Sequence, residues 1–508
     1  VRKIGARLYR PEYSYSDWPP KVKKPTVTVV TPVYNEDKAT FTEAMESWIR
    51  EGVTEIIAVI DKSNTHHIVD FDRKYANRTD VSCRLIVTPK PGKRAALCDG
   101  IVQASSEIIA LVDSDTIWGP NVLKNSLPLF LNKAVGGTTV GQRILNPDNL
   151  SNVMFDILLW TRYREEVPFL LGVGTVFNTL SGRTAFYRRE ALLNEEYDNI
   201  HDLRHEHFFS TRGVSGDDKR LTHLILEQGW LVQFAPEAEV FTPGLSSLKK
   251  FLKQRLRWTR NSWRADTRAI KKRWIWNHPA LALFMIDRFL QPFFMLIGPI
   301  VFILAVLAGD WLVAVALLVW WVVSRFIKLF SYFKTYPSRV IYLPAYIIYS
   351  YLNALMKVYA FATLLEHSWA TRWHKTRMKK RVLKKFIPVL TGSFAVLLFG
   401  YGLYQYVQGI NETSGASIKI PDEVVKEQYS GNIDFNVSET PAKPDLPDSA
   451  ILPTKVQTYI VQPGDQLNDL SVKFNMSVQD IKKLNNMRDP DKIRIGQTLL
   501  YYPKSEEL

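Results

Sequence analysis

The chain has 508 residues, with 65 Lys and Arg against 50 Asp and Glu, for a formal net charge of +15. The charge is split, +19 over residues 1–408 and −4 over residues 409–508, so the basic part should sit near an anionic surface or substrate. Two cysteines, Cys83 and Cys98, exclude a disulfide scaffold and a cysteine-rich metal centre.

The chain begins at Val1 with no signal-peptide pattern, and an upstream segment is expected. Residues 1–25, rich in proline and charge, read as an irregular lead-in. Four β-branched runs follow: TVTVVTPVYN (26–35), EIIAVID (55–61), CRLIVT (83–88) and EIIALVDSD (107–115). Helical stretches separate them, which predicts βαβ units and a parallel sheet within an α/β domain over 26–247. In such sheets ligands bind at the carboxyl ends of the strands, where Asp61, Asp113 and Asp115 fall.

GKR (92–94) is a phosphate contact or a basic turn, and it lacks the full pattern of an ATPase loop. Asp113 and Asp115 stand two apart after an apolar strand. Such a pair can meet one hard cation through oxygen and so neutralise a leaving diphosphate. A solvated acidic turn reads equally well, because D-x-D is common. The histidines of HDLRHEHFF (201–209) lack a supporting carboxylate or Cys pattern and read as ordinary polar contacts. Asp217 and Asp218 follow Gly216, and adjacent acids repel, which can raise one pKa and supply a general base.

Residues 249–273 hold eleven Lys or Arg and the tryptophans Trp258 and Trp263. Within a helix over 248–280, Gln254 and Trp258 are i, i+4 neighbours beside Arg257. An Arg fork suits a diphosphate, and an indole face suits a sugar ring. Lys249, Lys250, Arg264 and residues 271–273 are assigned to membrane lipid.

Residues 281–408 contain four apolar stretches. Residues 289–308 carry no charge and are long enough to span a bilayer. Residues 311–323 can extend to 330 if Arg325 and Lys328 snorkel. Residues 340–365, with Pro344, Asn353 and Lys357, read as an interfacial or re-entrant element. Residues 386–407 read as a further span. The basic stretch 248–273 and the basic loop 366–385 are placed in the cytoplasm by the positive-inside rule, which leaves 409–508 outside. Residues 409–456 are a polar, proline-dotted linker, and 457–503 read as a second folded domain.

In their order, TPVYNED (31–37), AVID (within 55–61), GKRAAL (92–97), DSD (113–115), SGR (181–183), GDD (216–218) and QRLRW (254–258) resemble the processive, membrane-embedded family 2 glycosyltransferases. Cellulose, chitin and hyaluronan synthases belong to that group. GDD and SWATR (368–372) look most like hyaluronan synthases. The resemblance covers 26–408 and implies a cytoplasmic GT-A (Rossmann-like) domain joined to transmembrane helices of the plasma membrane. It implies Asp61 at the uracil with Lys93 nearby, and Mg²⁺ or Mn²⁺ on Asp113 and Asp115 at the UDP diphosphate. Asp218 would be the general base, with Asp217 beside it in the substrate site. Gln254 and Arg257 would hold substrate, Trp258 would floor the acceptor site, and Trp369 and Arg372 would gate it. The partners implied are UDP-N-acetylglucosamine, UDP-glucuronate, the nascent polysaccharide and lipid. Lys219 stands where the family often has Arg, and Ala370 where its gate usually has Gly. The two usual N-terminal spans are not in the sequence, so missing helices or a second protomer of a homo-oligomer would complete a channel.

YIVQPGDQLNDLSVKFNMSVQDIKKLNNMRDPDKIRIGQTLLYYP (459–503) resembles a LysM module, which implies a small βααβ domain. It also implies binding to peptidoglycan or another N-acetylglucosamine-containing glycan, and the chain is expected to be bacterial. Two other functions compete: a single-donor synthase of a chitin- or cellulose-like chain, and a wall-binding scaffold with an inactive transferase domain. The intact acids and QRLRW argue against the scaffold. Nucleic-acid binding is not expected, because the basic stretch abuts an apolar span and no nucleic-acid fold accompanies it.

Overall fold

The computed structural model describes residues 2–89, 92–205, 207–208, 211–212, 216–364, 457–461, 466–474, 476–485 and 498–501. The chain divides into two units, 1–415 and 416–508.

An eight-stranded sheet organises the first unit. Its strands are β1 (Val27–Val33), β2 (Glu55–Asp61), β3 (Ser82–Thr88), β4 (Ile108–Val112), β5 (Ile117–Trp118), β6 (Val135–Ile144), β7 (Thr184–Arg188) and β8 (Leu231–Thr242). Their order is β3-β2-β1-β4-β7-β6-β8-β5. The four runs expected from the sequence form the parallel half, β3-β2-β1-β4. The other half departs from the expected parallel sheet, because β7 runs antiparallel to both β4 and β6. The result is the mixed sheet of a GT-A fold.

β1 and β2 read as continuous apolar runs because both of their faces are covered. Side chains alternate between faces. Val29, Val33, Ile56 and Ile60 pack with Met45 and Trp48 of α2 (Lys38–Arg50) and Phe71 of α3 (Thr65–Tyr75). Val30, Ile57 and Val59 face Leu97 and Ile101 of α4 (Lys93–Gln103), in a second core that continues to the apolar helices.

The lead-in is not wholly irregular. Arg2–Ala6 forms a short helix, α1, against α6 (Val167–Val173). The approach needs small residues: a Cβ on Gly172 would meet the carbonyl of Gly5. A π-helical turn, Arg162–Glu166, joins α6 to α5 (Leu150–Thr161).

Past α7 (Asp217–Glu227), the basic stretch forms a 23-residue helix, α8 (Leu248–Ile270), capped by Ser247, whose side chain accepts from the Lys250 amide. Two helices long and apolar enough to cross a membrane follow: α9 (Pro279–Leu307) and α10 (Trp311–Thr335). α9 begins ten residues before the expected span because Pro279 occupies the first turn, where no N–H is required. Residues 343–362 form one unbroken helix, α11 (Leu343–Ala362); Pro344 also lies in its first turn and interrupts nothing. Asp156 of α5 is fully buried. It accepts from Arg143 (2.8 Å), Arg339 (2.9 Å) and Tyr332 of α10 (3.0 Å), tying the sheet domain to the apolar helices. The span 386–407, the loop 366–385 and the linker lie outside the described residues.

The second unit pairs β9 (Gln457–Ile460) with β10 (Thr498–Tyr501) antiparallel, around α12 (Leu467–Phe474) and α13 (Val478–Leu484). Val461, Leu467, Leu470, Phe474, Ile481 and Leu499 form its core. Asn485 pins α13 to β10: its amide donates to the Leu500 carbonyl (2.9 Å) and accepts from the Leu500 N–H (2.7 Å). The expected βααβ order is present.

Candidate active site

The carboxyl ends of β1, β2 and β4 open into a cavity of about 810 Å³. Asp61, Lys93, Asp113, Asp115, Asp217, Asp218, Gln254, Arg257 and Trp258 all line it. Trp369 and Arg372 lie outside the described residues.

Backbone geometry sets these groups. Asp61 ends β2 and accepts from the Ser63 amide (2.8 Å) and hydroxyl (2.6 Å). Gly92 (φ 115°) and Gly216 (φ 87°) each precede a helix in conformations that disfavour a side chain, and they deliver Lys93 and the Asp217–Asp218 pair. Asp113 is held in the turn after β4, its amide donating to the Arg183 carbonyl (3.1 Å).

Lys93 bridges the two acidic pairs, its Nζ 2.6 Å from Asp113 and 3.0 Å from Asp217. Burial opposes its charge, but the two carboxylates overcome that and hold its pKa above the ordinary lysine range. Burial pushes the Asp113 carboxyl up, and Asp115 adds to this against the pull of Lys93. Asp217 and Asp218 part company. Burial disfavours both charges, but Lys93 and Arg94 hold Asp217 below the usual carboxylate range, while burial and Asp217 itself raise Asp218. A carboxylate raised in this way is a stronger base than an ordinary one.

Trp258 packs on Phe155 with ring centroids 5.5 Å apart. The Gln254 carbonyl oxygen is buried and unpaired among the described residues. α8 is not only a membrane-surface helix. Arg264, expected at lipid, is buried and donates to the Leu364 carbonyl (2.9 Å), while Arg260 donates to the Thr363 hydroxyl (2.9 Å). Both cations meet the C-terminal end of α11, where the helix dipole favours positive charge. Lys249, Lys250 and residues 271–273 are exposed.

Several cavity residues received no role in the sequence reading. Glu36 is pushed up to about 7 by burial, then by Asp115 and Asp113. Lys219 makes a buried ion pair with Asp266 of α8 (2.5 Å). Arg162 and Arg183 also line the cavity. The motif SGR pointed to Arg183; nothing in the sequence marked Arg162 or Asp266.

Residues 25–261 match the family described as "Glycosyltransferase like family 2", and residues 459–500 match the LysM domain. The chain carries a family 2 glycosyltransferase domain. Three similar relatives extend past that domain. A type 2 glycosyltransferase of Zymoseptoria tritici is 26% identical over 362 residues, covering 68% of this chain and 75% of the relative. An N-acetylglucosaminyltransferase of Sinorhizobium fredii is 28% identical over 368 residues, covering 68% and 84%. A hyaluronan synthase of Streptococcus pyogenes is 27% identical over 364 residues, covering 70% and 84%.

The carboxylates of this domain suit a hard divalent cation. Asp113 and Asp115 present oxygen donors from one turn, and burial, with repulsion between neighbouring acids, raises the carboxyls of Asp113 and Glu36. Among the described residues no group of three or more His, Cys, Asp or Glu forms a complete ligand cage.

Proposed function

We propose that the protein is a membrane-embedded, processive, inverting glycosyltransferase that polymerises UDP-sugars and exports a β-linked polysaccharide. The product we assign is hyaluronan, from UDP-N-acetylglucosamine and UDP-glucuronate. The observation that carries this reading is the extent of the cavity. It runs from Asp61 and Asp113 past Asp218 and Trp258, and continues between the apolar helices to Gln291, Asn353 and Lys357. Polar side chains on membrane helices are costly unless they face a cavity or a partner, so this lining supports a polar path.

In this reading Asp61 holds the base of the nucleotide. Asp113 and Asp115 hold Mg²⁺ or Mn²⁺, which when bound supplies Lewis-acid support to the departing diphosphate. Arg257 and Lys93 add positive charge at the same end. The acceptor sugar rests on Trp258. Its hydroxyl oxygen attacks the donor's anomeric carbon as Asp218 takes the hydroxyl proton. The anomeric C–O bond breaks and UDP leaves with the electron pair, inverting the centre. The second unit, as a LysM domain, binds N-acetylglucosamine-containing glycan outside the membrane. The single-donor alternative keeps every one of these steps, and the Sinorhizobium fredii relative's name favours it.

Purified protein in detergent, given Mn²⁺ and the two donors separately and together, tests the reading. UDP release and hyaluronidase-sensitive polymer are expected only with both donors. Asp218→Asn should lower turnover by about 10²- to 10⁴-fold, the usual range for losing a general base. Polymer from one donor alone would replace the hyaluronan reading with the chitin- or cellulose-like one. Inactivity with every UDP-sugar would favour the scaffold.

A further inference from the structure

Arg183 belongs to a motif that the proposed chemistry leaves unused. Its backbone is fixed, with its N–H on the Ser181 hydroxyl (3.2 Å) and its carbonyl on the Asp113 amide (3.1 Å). Its guanidinium lies over two aromatic rings, 5.0 Å from the centroid of the buried Phe155 and 5.9 Å from that of Trp258, which lines the cavity. Among the described residues it makes no ion pair and no side-chain hydrogen bond, and its Nη1 is buried without a partner. Asp115 and Asp113 are the acids that act on its charge, and Asp113 is engaged by Lys93.

A guanidinium cannot shed its charge, and its planar fork fits a carboxylate through two parallel N–H donors. Leaving the buried Nη1 unpaired is costly unless a ligand completes it. An anionic ligand completes a guanidinium most strongly. A diphosphate is one candidate, but Trp258 beside Arg183 is partly exposed on the cavity wall, and an indole face is a surface for a sugar ring. The neighbouring loop closes on the same point, since a Cβ on Gly182 would sit 3.4 Å from the Asp218 side chain. We propose that Arg183 reads the carboxylate of a uronosyl unit beside Trp258, and so determines specificity for an acidic sugar. The proposal rests on the two-donor reading above. The carboxylate can arrive on the incoming donor or on the chain end, and N-acetylglucosamine offers no such group in either place.

The test uses the full chain in detergent, as wild type, Arg183→Ala and Arg183→Lys. UDP release is measured with each donor varied while the other saturates. Released chains are analysed for their terminal sugar, and UDP affinity is measured by calorimetry to report an intact fold. An asymmetric defect is expected, with UDP affinity unchanged. If Arg183 reads the donor, the KM for UDP-glucuronate rises at least about tenfold in Arg183→Ala, while that for UDP-N-acetylglucosamine stays, and chains end in N-acetylglucosamine. If it reads the chain end, chains stall with a terminal glucuronate. Arg183→Lys keeps the charge without the fork and should fall between. An equal loss with both donors, weakened UDP binding, or no change would overturn the proposal while leaving the two-donor reading intact. Wild-type polymer from one donor alone would overturn both.

Discussion

Lys219 shows how one residue can set both a geometry and a pH limit. Its ammonium meets Asp266 and the Ser262 hydroxyl, fastening the helix that starts with Asp217 and Asp218 to the helix of Gln254–Trp258. Burial, with nearby cations, outweighs Asp266 and lowers its pKa to about 8. In the unfolded chain a lysine titrates at about 10.4. Between those values the unfolded state holds the proton and the folded state does not, so this group's contribution makes stability rise with pH there. The ion pair itself is lost in the same window. Activity should therefore fall above about pH 8 without loss of thermal stability from this group. Lys219→Arg, which stays charged, should move the alkaline limb upward. A pH–rate profile of both proteins, paired with thermal midpoints at pH 7.5 and 9.5, checks this. An unshifted limb in Lys219→Arg would remove Lys219 from the explanation.

At the scale of elements, Asp156 joins α5 to the apolar helices through Tyr332 and Arg339. Removing it strands two cations, Arg143 and Arg339, at that boundary. Asp156→Ala should cost about 3–5 kcal/mol, the usual result of breaking a buried pair from one side. Thermal unfolding in detergent reads this directly; a midpoint equal to wild type would mean that the join is dispensable. The elements also show what was legible. β1, β2, β3 and β4 declared themselves as β-branched runs, because strands covered on both faces are apolar throughout. Most of the site was legible for a related reason: its acids sit at strand ends or behind glycines, where local sequence dictates backbone. β7 was not legible as antiparallel, since its partners β4 and β6 are far away in the sequence. Arg264 misled because charge alone suggests lipid, whereas its partner is a carbonyl one hundred residues on. Asp266 and Arg162 were invisible for the same cause, being functional only through neighbours that the fold brings to them.

The whole molecule joins two units with separate cores and separate tasks. The catalytic cavity is built within residues 1–364, and the LysM unit closes its own core on six side chains between Val461 and Leu499. Residues 409–456, read from the sequence as a linker, lie outside the described residues. Units of this kind fold alone and can be removed one at a time. Deleting residues 416–508 should leave UDP release and chain length unchanged in detergent, because no cavity residue is lost. It should abolish retention of the protein on insoluble chitin or peptidoglycan. The two readouts divide the outcomes. Loss of retention with normal turnover would assign glycan binding to the LysM unit alone. Normal retention would place glycan binding in the first unit. Shortened chains with normal initial turnover would mean that the LysM unit holds the product and so contributes to processivity, a task that no feature of the catalytic cavity requires of it.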